Sequence, residues 1–374
     1  MTTAVPVDAA EFELHELEAH FAAIGLPRFH GRQIFQWIHR RGVTDIAQMT
    51  DLGRELRQSL PDRLSIQTPA VVKVERSTDG TAKFLLELAD GHLIESVFIP
   101  DTPSQTFCLS TQVGCAMKCA FCLTGRMGII RNLTAGEIVG QVRVLLRELD
   151  MLGQRFNIVL MGMGEPLHNY DATMKALRIL ADRQGLAVTS RRITLSTVGV
   201  LPALERLASE PVMPNLAISL HSTTEDQRDR LVPINRKYGL EDLLDACRRF
   251  PLKRRNRITF EYVLLDQVND TPEDARRLVK LLHGIKAKVN LLPLNAAPGI
   301  PFERPSDDRV NRFAAILADH QVTVSVRRSR GRDIRAACGQ LITESTRSAP
   351  GQRLAELMNV TVDSRQSSID SHSR

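Results

Sequence analysis

The chain has 374 residues, 43% of them hydrophobic and 25% charged, and a net charge of +6. That balance belongs to a folded protein with a large core and excludes disorder of the whole chain. No stretch approaches about 18 consecutive apolar residues, which excludes a membrane-spanning helix.

The first 25 residues carry Asp8, Glu11, Glu13, Glu16 and Glu18 but no Lys or Arg. A secretory signal has the opposite pattern, so we expect a cytoplasmic protein whose thiols stay reduced. Residues 12 to about 64 read as helical. Ile34, Phe35 and Ile38 share one face, and Leu52, Leu56 and Leu60 recur at four-residue steps. Arg28, His30, Arg32, His39, Arg40 and Arg41 surround the single tryptophan, Trp37, with positive charge. We read a small basic helical domain over residues 1–66, suited to docking nucleic acid or to packing on the main body.

From Ala70 to Pro100 the period drops to two. Val71–Val74, Lys83–Leu88 and His92–Ile99 read as strands separated by the turn dipeptides Asp79-Gly80 and Asp90-Gly91. They predict a short antiparallel meander within residues 67–104. Beyond it, Thr106–Ser110, Asn157–Met161, Arg192–Ser196, Asn215–Leu220, Thr259–Leu265, Val289–Leu294 and Val322–Val326 read as strands. Ala135–Leu149, Ala172–Arg183, Leu240–Arg249, Pro272–His283 and Asp307–Asp319 read as helices. This alternation predicts an α/β fold of about six βα units over residues 105–346. They form a barrel, open or closed, with ligands at the C-terminal strand ends. Residues 347–374, rich in Ser, Arg and Gln, read as a disordered tail.

The charge is uneven. Ten basic residues stand against four acidic ones between Arg228 and Arg257, and five against one between Arg327 and Arg335. Such stretches suit a polyanionic partner, or merely solvated helix faces.

Three of the six cysteines form Cys115-x-x-x-Cys119-x-x-Cys122 after the first strand of the predicted barrel; Cys108, Cys247 and Cys338 stand apart. In a reducing compartment such a cluster marks metal or redox chemistry rather than a disulfide framework. Iron–sulfur clusters take four cysteines as a rule, so three in one loop leave an iron open to an outside ligand. A structural zinc completed by Cys108 or a histidine is the alternative. One βα unit later the second strand ends in Met161-Gly162-Met163-Gly164-Glu165-Pro166. Its glycines allow close approach of backbone to a ligand, and its carboxylate suits an ammonium. Ser196, Ser219, Leu220, His221 and Asn295 fall at or near the ends of later strands, where a barrel places binding groups. Cys247, in a helical pattern, reads as structural.

The segment Cys-Ala-Met-Lys-Cys-Ala-Phe-Cys resembles the signature of the radical S-adenosylmethionine (SAM) superfamily, and Gly164-Glu165 resembles its SAM-amino-binding turn. Arg192–Thr197, Ser219–Ser222, Pro293–Asn295 and Ser329–Leu341 resemble one narrower family, the adenine C2-methyltransferases of 23S ribosomal RNA and certain tRNAs. The likeness runs from about residue 12 to 346. It implies a partial (β/α)6-type radical-SAM barrel and a [4Fe–4S] cluster on Cys115, Cys119 and Cys122. It implies SAM held by Gly164, Glu165, Ser196, Ser219, Leu220, His221 and Asn295. It assigns Cys338 as the methyl-carrying cysteine, Cys108 as its partner in a transient disulfide, and Glu95 as the proton acceptor. Two SAM molecules per turnover and a transient covalent protein–RNA adduct follow from the same likeness.

The chemistry has its own logic. Carbon 2 of adenine has no lone pair with which to attack a methyl cation, so its methylation needs a carbon radical. A thiolate, by contrast, is a good nucleophile for SAM. Taken alone, Cys108 reads as a small buried residue, Glu95 as the solvent-facing position of its strand, and His221 as structural. The partners expected are 23S rRNA and tRNA, an electron donor of flavodoxin or ferredoxin type, no membrane, and no second protomer. Arg28–Arg41, Arg248–Arg257 and Arg327–Arg335 are the expected phosphate contacts, with the adenine extruded from the RNA fold. Two rivals stand beside this reading: an adenine C8-methyltransferase sharing the cluster, turn and extra cysteines, and a non-catalytic RNA-binding protein with a metal. The long helical N-terminus and the Ala-Ala-Pro-Gly stretch after Asn295 favour carbon 2.

Overall fold

The computed structural model describes residues 6–100 and 104–343, so the tail expected over 347–374 lies outside the described residues. At the N-terminus, β1 (Val7–Asp8) pairs in parallel with β2 (Leu64–Ser65) and ties together the ends of a helical unit. Its helices are α1 (Leu14–Ala23), α2 (Arg28–His39) and α3 (Arg54–Ser59). α1 and α2 cross closely at Gly31, where a Cβ would stand 2.9 Å from the Glu18 backbone. Leu17, Phe21, Ile34, Phe35 and Ile38 are fully buried there. The leucine ladder is not one helix. Leu52 precedes α3, which Gly53 starts, and Leu60 begins a separate 3-10 turn with Pro61 behind it. The unit docks on the main body through Arg178–Glu13 and Lys175–Glu16, both at 2.7 Å.

The meander is β3 (Ala70–Arg76), β4 (Ala82–Glu87) and β5 (Leu93–Ile99). It continues into β6 (Thr106–Cys108), which pairs antiparallel with β5. A hairpin of β7 (Gln112–Gly114) and β8 (Ile129–Asn132) then encloses α4 (Leu123–Met127). The remaining strands are β9 (Asn157–Leu160), β10 (Ile193–Thr197), β11 (Asn215–Ser219), β12 (Ile258–Leu264), β13 (Ala287–Pro293) and β14 (Val324–Val326). Between them lie α5 (Ala135–Glu148), α6 (Tyr170–Ala181), α7 (Leu201–Leu207), α8 (Glu225–Leu231), α9 (Leu240–Arg249), α10 (Pro272–Leu281) and α11 (Asp307–Asp319).

Among the described residues one sheet follows chain order with only the β7–β8 hairpin left out, β3-β4-β5-β6-β9-β10-β11-β12-β13-β14. The pairings from β6 to β14 are all parallel. The outermost strands, β3 and β14, do not pair with each other, so the barrel is partial: six βα units and a seventh strand. β12 is buried along its whole length, as a parallel strand covered on both faces must be. Local signals start the helices: Thr134 and Glu137 form a capping box at α5, and Thr271 and Asp274 one at α10. α4, α7 and α8 escape the sequence reading because five to seven residues give too short an apolar period. No helix among the described residues is long and apolar enough to cross a membrane.

Parallel strands bring all their C-terminal ends to one rim. The cysteine loop, the glycine turn and Asn295 all follow strand ends and so arrive there together.

Candidate active site

The cysteine loop is held at both ends. Cys115 N–H donates to Gly128 O at 2.9 Å, and Cys122 is the N-cap residue of α4. In between, Lys118 takes a left-handed conformation (φ 54°) and Ala120 N–H donates to Leu231 O. Cys115, Cys119 and Cys122 line one pocket at the barrel rim. Burial pushes the Cys115 thiol up to about 12 and raises Cys119 and Cys122 as well. A cationic group bound by all three would reverse that penalty. Among the described residues no three His, Cys, Asp or Glu side chains converge as ligands of a single ion do. Three cysteines on one pocket are a donor set that a polynuclear iron–sulfur cluster can take, with each sulfur on a different iron.

Gly162 and Gly164 are fixed by the protein's own chain. A Cβ at Gly162 would meet the Leu109 backbone at 2.7 Å, and one at Gly164 (φ 106°) the Gln112 backbone at 2.7 Å. The Glu165 carboxylate is partly engaged: Oε1 accepts from Leu167 N–H and Oε2 from Val198 N–H, both at 2.9 Å. It holds its own turn against the end of β10, and burial raises its pKa to about 7. Ser196 and Ser219 face the pocket with their hydroxyls 3.2 Å apart. Asn295 is buried, and its Oδ1 has no hydrogen-bond partner among the described residues, so a polar atom on the wall is free for a ligand. Leu220 differs from its neighbours: its side chain is buried outside the pocket and its N–H donates to Glu261 O.

Cys338 reaches the same pocket from the far end of the chain. Its loop is strapped on three sides. Gly331 N–H donates to Asp79 Oδ2, Leu123 N–H to Gly339 O, and Gln340 Nε2 to Ala296 O. Arg327 Nη1 lies 3.5 Å from Cys338 Sγ. Cys108, on β6, lines an adjoining cavity together with Cys338, Arg327, Asn295 and Met161. All six cysteines are free, so the bond expected between Cys108 and Cys338 is not formed here and both thiols are intact.

Glu95 lies outside both cavities' walls. It is 4% exposed rather than solvent-facing, because the C-terminal segment folds across its strand. Oε1 pairs with Lys83 Nζ at 3.0 Å and Oε2 accepts from Ile342 N–H at 2.9 Å. Burial raises its pKa, with Lys83 opposing. Val97, two residues along, pairs with Cys108, so Glu95 and Cys108 share a face of the sheet.

Residues 109–282 match the radical SAM superfamily, and residues 7–66 match the N-terminal domain of ribosomal RNA large subunit methyltransferases. A dual-specificity RNA methyltransferase RlmN of Syntrophobacter fumaroxidans is 50% identical over 91% of this chain and 99% of its own length. Its namesake from Geobacter sulfurreducens is 50% identical over 90% of this chain and 92% of its own. This chain belongs to the RlmN-type dual-specificity RNA methyltransferases. The crystal structure of a radical SAM methyltransferase from Sphaerobacter thermophilus superposes with a TM-score of 0.87 at 47% identity, over 91% of this chain and all of that one. The RlmN-type chain is therefore a SAM-dependent radical enzyme and an RNA methyltransferase.

Three residues of this methyltransferase change their meaning in three dimensions. Arg228, counted in a basic stretch, is 0% exposed and donates to Val198 O, Leu220 O and Asn235 Oδ1. Arg327, expected on phosphate, turns into the pocket. Glu261, which the sequence reading passed over, lines that pocket from mid-strand. A charged residue inside an apolar central strand was the available signal. Lys253, Arg254, Arg255 and Arg257 do remain exposed.

His221 is occupied structurally. Its backbone is left-handed (φ 59°), its ring Nδ1 accepts from Val263 N–H at 3.0 Å, and its carbonyl accepts from Asn269 Nδ2. Burial lowers its pKa to about 3, against 6.5 for a free histidine. Between those values the unfolded chain binds a proton that the folded one refuses, so stability falls as pH drops below about 6.5. Urea unfolding across that window should show the loss, shared with buried His39, and a His221→Asn variant should show a shallower slope. An unchanged slope in the variant would remove His221 from the account.

Proposed function

We propose that this enzyme methylates carbon 2 of an adenine in 23S ribosomal RNA, and of an adenine in a tRNA anticodon loop, through a methylated Cys338. The observation that carries the reading is the position of Cys338: its sulfur lines the pocket of the three clustered cysteines, with Cys108 on the adjoining cavity. The relatives' dual-specificity names support both RNA classes.

Cys115, Cys119 and Cys122 would hold a [4Fe–4S] cluster with one iron left for SAM. When bound, that cluster supplies the electron, drawn from a flavodoxin- or ferredoxin-like donor, that splits SAM into methionine and a 5′-deoxyadenosyl radical. Gly164, Glu165, Ser196, Ser219, His221 and Asn295 would orient SAM, and Leu220, whose N–H and carbonyl are both bonded within the protein, would only set the strand end that carries Ser219 and His221. The Cys338 sulfur, 3.5 Å from Arg327 Nη1, would attack the methyl carbon of a first SAM, and S-adenosylhomocysteine would leave with the electron pair of the broken carbon–sulfur bond. Loss of a hydrogen atom from the S-methyl group to the 5′-deoxyadenosyl radical would leave a carbon radical on Cys338 that adds to adenine C2, and the unpaired electron of the adduct would go back to the cluster. Glu95, with its affinity for protons raised by burial, takes the C2 proton. Cys108 attacks the Cys338 sulfur, and the carbon–sulfur bond breaks to release the methylated base. The unit over residues 1–66 and the exposed Lys253–Arg257 cations would grip phosphates in a cytoplasmic setting.

A chase with methyl-labelled SAM tests the order of events. Label should reach the Cys338 peptide before RNA is added and move from there into RNA afterwards. Label passing to RNA from a pool that never visited Cys338 would contradict the reading.

A further inference from the structure

Glu261 stands at the middle of β12, 5% exposed, in a strand otherwise almost wholly apolar. Asn290 on the next strand donates to its Oε1 at 3.0 Å, and Ser325 on the strand beyond bonds Asn290 in turn. Its second oxygen, Oε2, is buried yet has no hydrogen-bond partner among the described residues. Arg327 is pinned by its own backbone, whose N–H donates to Leu291 O at 2.9 Å. Among the described residues its guanidinium reaches only the sulfurs of Cys338 and Met161, both through Nη1. The two side chains share one pocket, and no ion pair between them is found among the described residues. The two charges act on each other across the pocket, and a spare acceptor beside spare donors complements a ligand edge carrying a donor beside an acceptor.

We propose that Glu261 and Arg327 read the Watson–Crick edge of the target adenine, Glu261 Oε2 accepting from the exocyclic amine and Arg327 donating to N1. This deepens, and rests on, the adenine-methylation reading. Extruded bases are recognised on that edge. The geometry also gives the reaction its regiochemistry. Carbon 2 adjoins N1, so an adenine held by Arg327 turns carbon 2 toward Cys338, whereas carbon 8 lies on the opposite side of the base. The amino acid end of SAM offers similar polarity, and Glu261 lines the cysteine pocket beside Ser219, but Arg327 and Cys338 also border the cavity of Cys108, where no clustered cysteine contributes, so the two ligands are told apart by the test below.

The test compares reconstituted wild-type, Glu261→Ala and Glu261→Gln enzymes on substrate RNA carrying adenosine, purine riboside or 1-deazaadenosine at the target position. Wild type should lose about 10- to 100-fold in kcat/KM with purine riboside, the scale of one hydrogen bond to a charged group. It should lose a similar factor with 1-deazaadenosine. Glu261→Ala should lose that factor on adenosine and no longer distinguish purine riboside, with Glu261→Gln between the two. Equilibrium binding of the same RNAs to the cluster-free protein should show the same order. Wild-type discrimination surviving in Glu261→Ala would overturn the proposal. So would failure of that variant to methylate Cys338 without RNA, since that places the carboxylate on SAM. Wild type that makes no 2-methyladenosine at all would instead bring down the reading beneath it.

Discussion

Replacing Cys108 by Ala should leave the enzyme covalently joined to its RNA. The methylene bridge between Cys338 and the base is tied to the protein by a carbon–sulfur bond that does not break unaided; another sulfur must attack Cys338 so that the electron pair of that bond passes to the methylene carbon, which then takes a proton. Cys108 lines the cavity that also holds Cys338. Burial pushes its thiol up to about 12, with the nearby Arg327 charge opposing. The steps before release make no use of Cys108, so the variant should methylate Cys338 and form the adduct normally. Released product should fall to background while a protein–RNA band accumulates on denaturing gels. The Cys108→Ala/Cys338→Ala double variant should show no such band. Normal turnover by Cys108→Ala would assign release to a different group.

The largest effect on stability should come from Arg228→Met. Arg228 is 0% exposed, and its guanidinium ties Val198 O at 2.7 Å, Asn235 Oδ1 at 2.8 Å and Leu220 O at 3.2 Å. Val198 O and Leu220 O lie just past β10 and β11, the strands that present Ser196 and Ser219, and Asn235 lies in the turn after α8. The thioether fills similar volume but donates nothing, so several buried acceptors lose their partner at once. A cost of about 3–5 kcal/mol is expected, a large share of the roughly 5–15 kcal/mol that holds a protein folded. Urea unfolding checks it, and SAM affinity should fall alongside as the strand ends loosen. A loss below about 1 kcal/mol would mean that water replaces the guanidinium.

The barrel strands are legible because their apolar runs are short and bounded by helical periods; each begins and ends within two residues of its expected place. The cysteine trio and the Gly164-Glu165 turn are legible because their residues are neighbours in sequence. What escapes is whatever distant segments decide. Arg228 and Arg327 both look like surface cations in one dimension, yet one is a core brace and the other a pocket wall. Nothing near Glu95 announces that Ile342 will cover it, 247 positions away. The glycines of the turn line the pocket, and the sequence does not announce that Leu109 and Gln112 also press on them from within the fold.

The most direct test of the account is nucleoside mass spectrometry of ribosomal RNA fragments and total tRNA after treatment with reconstituted enzyme, SAM and a strong reductant. The account predicts 2-methyladenosine in both RNA pools with the native chain and none with Cys338→Ala. 8-Methyladenosine, or 2-methyladenosine made without Cys338, would contradict it.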